Sequence, residues 1–324
     1  MTCRHGRPAG AGGAMIYTIT LNPTLDITYV LEEITLGEPV RALEVLKSPG
    51  GKGINVSRAL RAMGTDSVAV AMIGGHVGEE VLDLLHNEGL ILQIAKIKND
   101  TRTNVIVLGR RNNQELVIKA AGPAVEETET QHVTDLVFQV AQTPEIMVLS
   151  GSLPPGVKHD IYRSITEEGN FRGSKVVIDT DGEPLRSGVE AAPYLIKPNL
   201  TELEGLAGKR LEGDREIVEF SRTLNDKGVE MVVVSMGSRG ALMVSGETVL
   251  KGTVQEVPDD TVGAGDSMVA GLVTGIVQEL PPERVFQRGL AFSLAAVINT
   301  GPGLTEPDAF TKAFPQVMVE EIEI

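Results

Sequence analysis

The chain has 324 residues, 42% of them hydrophobic, which suffices for one large domain or two small ones around a sizeable core. Its net charge of −15 argues against nucleic acid or an anionic membrane surface as a partner. The single cysteine, Cys3, excludes an intramolecular disulfide and disfavours a cysteine-based metal site, a reducing cytoplasm fits, and no run of 18 apolar residues predicts a membrane span.

Residues 1–14 lack the apolar stretch of a secretory signal and read as a disordered extension ahead of Met15. Ile16 to Leu21 reads as a buried strand ending at Asn22-Pro23. Asp26 follows just beyond. A carboxylate at the carboxyl end of a strand in an open α/β sheet can grip a polyol by its hydroxyls, and a turn aspartate bonding its own backbone is the plainer alternative. Residues 27–48 alternate and read as two short strands. The glycine cluster Pro49-Gly50-Gly51-Lys52-Gly53 leads into a helix from Ile54 to Met63 and lacks the Gly-Lys-Ser/Thr spacing of a Walker A loop. Lys52 and Asn55 sit where a lysine and free amides can hold a phosphate or a sugar; a solvated lysine on a loop is the alternative.

Ser67 to Ile73 is a predicted strand, followed by a helix around Glu79–Asn87. The five histidines are scattered, so neither a zinc site nor a Ser/His/Asp triad is supported. Asn104 to Leu108 and Leu116 to Lys119 bracket a polar hairpin tip, and with 27–48 they predict a small separate sheet. Arg102, just ahead of the hairpin, is a planar, bidentate cation for a substrate phosphate. After a helix from Glu126 to Ala141, strands at 146–149, 176–179, 194–196 and 231–235 alternate with helices. Three of them end in the polar loops Ser150–Gly156, Lys197–Glu202 and Met236–Gly240. This is the pattern of an α/β fold with a parallel, doubly wound sheet. No Gly-x-Gly-x-x-Gly follows the first strand, which disfavours a dehydrogenase-type dinucleotide fold.

Residues 260–271 run from a glycine-broken turn into a small-residue helix, with Met268, Val269, Leu272, Val273 and Ile276 at helical spacing. The amides of Gly263, Ala264 and Gly265 then stand at a helix N-terminus, a ready anion site. Asp266 reads equally as an N-terminal capping acid and as a general base on a hydroxyl. A helix from about Glu283 to Ile298 ends at Asn299-Thr300-Gly301-Pro302-Gly303, and Val317–Ile324 is either an edge strand or a tail.

Four motifs stand in order: Asn22-Pro23-Thr24-Leu25-Asp26, Pro49-Gly50-Gly51-Lys52-Gly53-Ile54-Asn55, Lys197-Pro198-Asn199 and Thr261–Gly271. Together they resemble the ribokinase-like (PfkB) carbohydrate kinases, from Met15 to about residue 315. More narrowly they resemble the phosphosugar branch of 1-phosphofructokinases, tagatose-6-phosphate kinases and minor 6-phosphofructokinases. The wording at 51–57, 101–104 and 262–271 is most similar to the first, with tagatose-6-phosphate kinases (or 6-phosphofructokinases) as the alternative. The resemblance implies a ribokinase-like, doubly wound, mostly parallel sheet flanked by helices within a kinase domain at 15–324. A small β-sheet lid would come from about 27–48 and 103–121.

It further implies Asp266 as the base on the acceptor hydroxyl, with the amides of Gly263, Ala264 and Gly265 as anion hole. Asp26 would bind sugar hydroxyls, with Gly51 and Asn55 lining the same pocket, while Lys52 and Arg102 would hold the phosphate already on the substrate. Asn199 and Glu202 would face magnesium through water. Lys197, Ser235, Gly237 and Gly240 would serve the nucleotide, and Asn299 the adenine pocket. ATP and Mg2+, a ketohexose phosphate, a cytoplasmic location and a homodimer through the lid complete the expectation. Some relatives carry a basic residue where Val117 stands, so that contact is missing or falls to Lys119. A non-catalytic sugar-phosphate sensor on the same fold is the competing class, disfavoured by Asp266 and its glycines.

Overall fold

The computed structural model describes residues 15–111, 114–139, 142–254, 263–298 and 306–324; the expectations placed on 1–14 and on Asn299 lie outside the described residues. The first half runs β1 (Ile16–Thr20), β2 (Thr24–Leu31), β3 (Glu44–Gly50), α1 (Lys52–Ala62), β4 (Val68–Gly74), α2 (Gly75–Asn87), β5 (Ile91–Ile97), β6 (Arg102–Gly109) and β7 (Gln114–Ile118). Next come α3 (Glu127–Phe138), β8 (Ile146–Ser150), α4 (Ile161–Phe171), β9 (Lys175–Asp179), α5 (Gly182–Val189), β10 (Leu195–Ile196), α6 (Leu200–Ala207) and α7 (Gly213–Asp226). The chain closes with β11 (Met231–Ser235), β12 (Ala241–Ser245), β13 (Thr248–Val254), α8 (Ala264–Val277), α9 (Pro282–Ile298), α10 (Pro307–Ala313) and β14 (Val317–Glu321).

One ten-stranded sheet has the order β14-β13-β12-β11-β10-β9-β8-β1-β4-β5. It is parallel from β5 through β11 and antiparallel from β11 to β14. The strands β1, β8 and β9 are nearly unbroken apolar runs because helices cover both faces. Period-two alternation sorts their side chains. Tyr17, Ile19, Leu149, Ile178 and Val232 pack with α3 to α7. Ile16, Val148, Val177, Leu195 and Val233 pack with α1, α8 and α9. From the central β1 the chain passes first to β4 and β5 on one side and later to β8 on the other. That order reversal is where open α/β sheets leave a crevice beyond their carboxyl ends.

Helices α8 and α9 approach closely through glycines. A Cβ on Gly271 would stand 2.6 Å from the Arg288 carbonyl oxygen and 2.9 Å from the Gly289 Cα. The small-residue character of residues 264–277 is therefore a packing requirement.

A second sheet of four strands, β3-β2-β6-β7, forms as expected, with β2 antiparallel to β3 and parallel to β6. Its first strand begins at Thr24, not at residue 27. Asp26 accordingly lies in a strand, opposite Ser48 and Asn104, and not in a turn. Three strands went unforeseen. The edge strand β5 is only half covered and shows no clean alternation. β12 and β13 form a hairpin through Gly246 (φ 56°), a two-residue turn whose flanking runs are buried on both faces. Residues 317–321 resolve as an edge strand, because they pair with β13.

Candidate active site

The site follows from register. Ser150 pairs with Asp179 at the ends of β8 and β9. Thr20 ends β1, one residue past the Ile19–Leu149 pair. Lys197 follows the Ile196–Ile178 pair. By alternation Thr20, Ser150, Asp179 and Lys197 all point to the face that carries α1 and α8. The N-termini of those two helices arrive over this row. A Cβ on Gly53 would meet Thr20 Oγ1 at 2.5 Å, and one on Gly265 would stand 3.5 Å from Lys197 Nζ.

Gly263 is the N-cap of α8 in a left-handed conformation (φ 77°), so the amides of Ala264, Gly265 and Asp266 open the helix without intrahelical acceptors. The Asp266 carboxylate is 8% exposed, and its Oδ2 accepts from Asn55 Nδ2 at 2.8 Å. Burial, then the nearby Asp179 carboxylate, push Asp266 up to about 6, against the opposing pull of Asn55, Lys52 and Lys197. Asn55 is aimed by Arg58, whose Nη1 donates to Asn55 Oδ1 at 3.3 Å while its Nε is held by Glu88 at 2.6 Å. Asp179 Oδ1 takes both lysines, Lys52 Nζ at 3.2 Å and Lys197 Nζ at 3.4 Å. Burial would raise Asp179, but the two ammonium groups outweigh it and hold the carboxyl below its ordinary range. Burial would lower Lys52; the carboxylates of Asp179, Asp266 and Glu202 instead hold it above its ordinary value.

On the other flank, Asp26 Oδ1 accepts from Asn104 Nδ2 at 2.8 Å, and Asn104 Oδ1 accepts from the Ala120 amide at 3.1 Å. Burial raises the Asp26 carboxyl, against its bonds to Asn104 and Thr24 and the charges of Arg102 and Arg58. Gly50 lies so close that a Cβ there would stand 2.3 Å from Asp26 Oδ2. Gly51, with φ 132°, is the N-cap of α1 and sets the Lys52 backbone at a helix start. The Arg102 guanidinium is largely spent on backbone: Nη1 donates to Ala120 O at 2.7 Å and Nη2 to Asn22 O at 3.0 Å. Burial lowers its pKa. The two predicted phosphate cations therefore have different charged neighbours, Asp26 for Arg102 and the Asp179–Asp266–Glu202 group for Lys52.

Beyond Lys197, Asn199 caps α6 in a reciprocal box with Glu202: each backbone amide donates to the other's side chain at 2.8 Å. Asn199 also bridges to Ser235, whose amide donates to Pro198 O at 3.0 Å. Gly237 (φ 60°) and Gly240 (φ 82°) turn the chain sharply after β11. No cluster of three His, Cys, Asp or Glu able to hold a metal occurs among the described residues. Glu202, with Oε1 outside the capping bonds, suits magnesium, which keeps most of its waters and takes one or two carboxylates plus phosphate oxygens.

Most of the sequence-predicted residues thus gather along the carboxyl edge of the main sheet and the base of the small one. Asp179, Arg58 and Asn104 were missed. That Asp179 closes a predicted strand was legible, but that it meets Lys52 and Lys197 there depends on register.

The family model described as pfkB family carbohydrate kinase matches residues 19–309. The chain is 35% identical to the 1-phosphofructokinase of Bacillus subtilis (strain 168), over 96% of this chain and 99% of that one. It is 29% identical to a tagatose-6-phosphate kinase of Staphylococcus epidermidis, over 95% of this chain and 100% of that one. Among solved structures it is similar to phosphofructokinase-2 from Escherichia coli in complex with fructose-6-phosphate. That similarity has a TM-score of 0.87 and 29% identity, covering 93% of this chain and 98% of the other.

Proposed function

Because the chain belongs to the pfkB family of carbohydrate kinases, we propose that it transfers the terminal phosphoryl group of ATP to a ketohexose phosphate, converting fructose 1-phosphate to fructose 1,6-bisphosphate. One observation carries the reading: a buried carboxylate, Asp266, in the first turn of α8, beside two lysines gathered on Asp179. Asp266 takes the proton of the acceptor hydroxyl. The hydroxyl oxygen forms the new bond to the γ-phosphorus as the bond to the β–γ bridging oxygen breaks, and ADP leaves. The amides opening α8 at Gly263, Ala264 and Gly265 face the charge on the transferring group. Such transfer asks a protein mainly for positioning and charge stabilisation, and each aimed donor is typically worth on the order of 10²–10³ in rate.

Asp26, Gly51 and Asn55 hold the sugar. Arg102 serves its existing phosphate, with Lys119, exposed and without an ion pair among the described residues, at the same end. Lys52, beside Asp179 and Asp266, serves the phosphoryl group in transfer in place of the substrate phosphate expected from the resemblance. Lys52 also lies within electrostatic reach of Asp266. Lys197, Ser235, Gly237 and Gly240 face the nucleotide, as does Asn299 by the family resemblance. Asn199 and Glu202 would hold magnesium through water, and the ion would supply positive charge to the phosphates. Residues 15–324 form one kinase domain with the small sheet (about 27–48 and 103–121) as its lid. No helix among the described residues is long and apolar enough to cross a membrane, and a cytoplasmic enzyme fits.

Measuring ADP release with MgATP tests the reading. Fructose 1-phosphate is expected to exceed tagatose 6-phosphate and fructose 6-phosphate by at least about tenfold in kcat/KM, the order of one well-made contact. Preference for tagatose 6-phosphate is the second reading, favoured by the relative of that name. Turnover of free fructose alone would remove Arg102 from a phosphate site.

The small sheet exposes Tyr29, Val45, Leu46, Leu116, Val117 and Ile118, between 37% and 54% each. By pairing and alternation Tyr29, Val45, Leu116 and Ile118 share one face and Leu46 and Val117 lie on the other. Apolar side chains bared on a thin sheet call for a cover, and the proposed cover is the same sheet of a second copy. The protein is expected to sediment as a dimer, and the double variant Val117→Asp, Ile118→Glu as a monomer. A wild-type monomer at micromolar concentration would refute this.

A further inference from the structure

We propose that Asp179 is a positioning residue that fixes the ammonium groups of Lys52 and Lys197 on the phosphoryl group in transfer, one lysine from each side of the reaction. The inference rests on the kinase reading above and adds to it a residue that neither the motifs nor the glycine-rich turns contain.

Four observations support it. Asp179 closes β9 inside the parallel sheet, between β8 and β10, and is 1% exposed. A single oxygen, Oδ1, accepts from both lysines. The other, Oδ2, is buried without a hydrogen-bond partner, so among the described residues only the lysines bond this carboxylate. The lysines come from opposite quarters: Lys52 from the start of α1, one turn before Asn55, and Lys197 from the end of β10, two residues before Asn199.

Charge balance points the same way. When Asp266 holds the proton it takes from the hydroxyl, the Asp179 carboxylate faces two ammonium groups with Glu202 alone beside Lys52, which leaves a positive surplus on Lys197. Lys197, 4% exposed as a residue, carries that surplus to the first turn of α8 beside Gly265. The first-turn amides add the positive end of a helix dipole. Buried positive charge in excess is costly unless an anion meets it, and phosphate oxygens are the anion this geometry suits. Lysine is a point charge on a flexible four-carbon stem. Two such stems aimed at one place need a fixed anchor, and Asp179 is the anchor on the page.

The test is Asp179→Asn, which keeps shape and removes charge. Misplacing reactive groups by about 1 Å typically costs on the order of 10² in rate. We therefore expect kcat to fall about 10²-fold while KM for the phosphosugar stays within about threefold, the split that marks an interaction made in the transition state. The pH profile gives a readout that a merely structural role would not move. Asp266 is faced by Lys52 and Asn55 from α1, by Asp179 from β9 and by Lys197 beyond β10. Removing the one anion among these while keeping both cations lowers the Asp266 pKa, so the acid limb of kcat shifts to lower pH. A kcat within about threefold of wild type, or an acid limb that stays in place or moves up, overturns the proposal.

Should Asp179→Asn fail to fold because two lysines are left uncompensated, the double variant Asp179→Asn, Lys197→Met is compared with Lys197→Met. A further drop of at least about tenfold, with the same acid shift, supports the role, since Lys52 has lost its anchor; equal rates overturn it. Wild-type turnover, measured alongside, separates the two claims. Its absence removes the kinase reading, whereas turnover unchanged by Asp179→Asn removes only the positioning role.

Discussion

Asp266→Asn is expected to lower kcat by about 10³-fold, within the range a positioned base supplies, while the folded protein and its affinity for the phosphosugar persist. The carboxamide is isosteric, and its oxygen still accepts from Asn55 Nδ2. Removing a buried carboxylate whose ionisation burial opposes does not cost the fold a needed charge. The pH dependence of the unaltered enzyme follows from the same site. A base must be ionised to take a proton, and Asp266 is pushed up to about 6. Turnover is therefore expected to fall as pH drops through about 6, close to tenfold per further unit, and the residual turnover of Asp266→Asn should lack this limb. Stopped-time assays of ADP from pH 5 to 8 read both. Near-normal turnover by Asp266→Asn would remove the base assignment.

Gly271→Val is expected to destabilise the protein by about 3 kcal/mol, the upper end of ordinary overpacking. The new Cβ would meet backbone, the Arg288 carbonyl oxygen at 2.6 Å and the Gly289 Cα at 2.9 Å, with the Phe292 ring at 2.9 Å. Backbone cannot swing aside as a side chain can. Helices α8 and α9 must separate or the α8 start must move, and that start carries Asp266. For a chain of this size the loss corresponds to a fall in Tm on the order of 5–10 °C. Calorimetry checks it, and an unchanged Tm would mean that the helix pair is looser than its glycines imply.

Much of the fold was legible because its strands are short apolar runs ended by polar loops and separated by amphipathic helices. What escaped were elements defined by distant partners. β5 is an edge whose exposure is mixed, and β12 and β13 are buried on both faces, so neither shows alternation. The site was legible where chemistry and turn geometry coincide, at Lys52, Asn55 and the Gly263–Asp266 turn. It was illegible where a residue works by register. Asp179 looks from sequence like any aspartate after Val-Val-Ile, and only the pairing of β8, β9 and β10 brings it beneath both lysines. Arg102 shows the reverse, a residue whose type promised a free cation but whose donors hold backbone carbonyls.

That use of Arg102 ties the small sheet to the large one. The chain crosses between the two sheets near residues 22, 51, 101 and 120, and the Arg102 guanidinium ties the first, third and fourth of these together through Asn22 O and Ala120 O. Asn22 Nδ2 adds a bond to Ala121 O at 2.9 Å. Laced along this line, the sheet would turn as one plate in the proposed lid closure. At roughly 3.3 Å per residue, Asp26 lies roughly 7 Å from the pivot and the tip at Leu31 roughly 23 Å. A given rotation thus carries the apolar tip about three times as far as Asp26. As the proposed lid, the sheet would be a lever whose short arm keeps Asp26 near the sugar while the long arm makes the travel visible to whatever covers it.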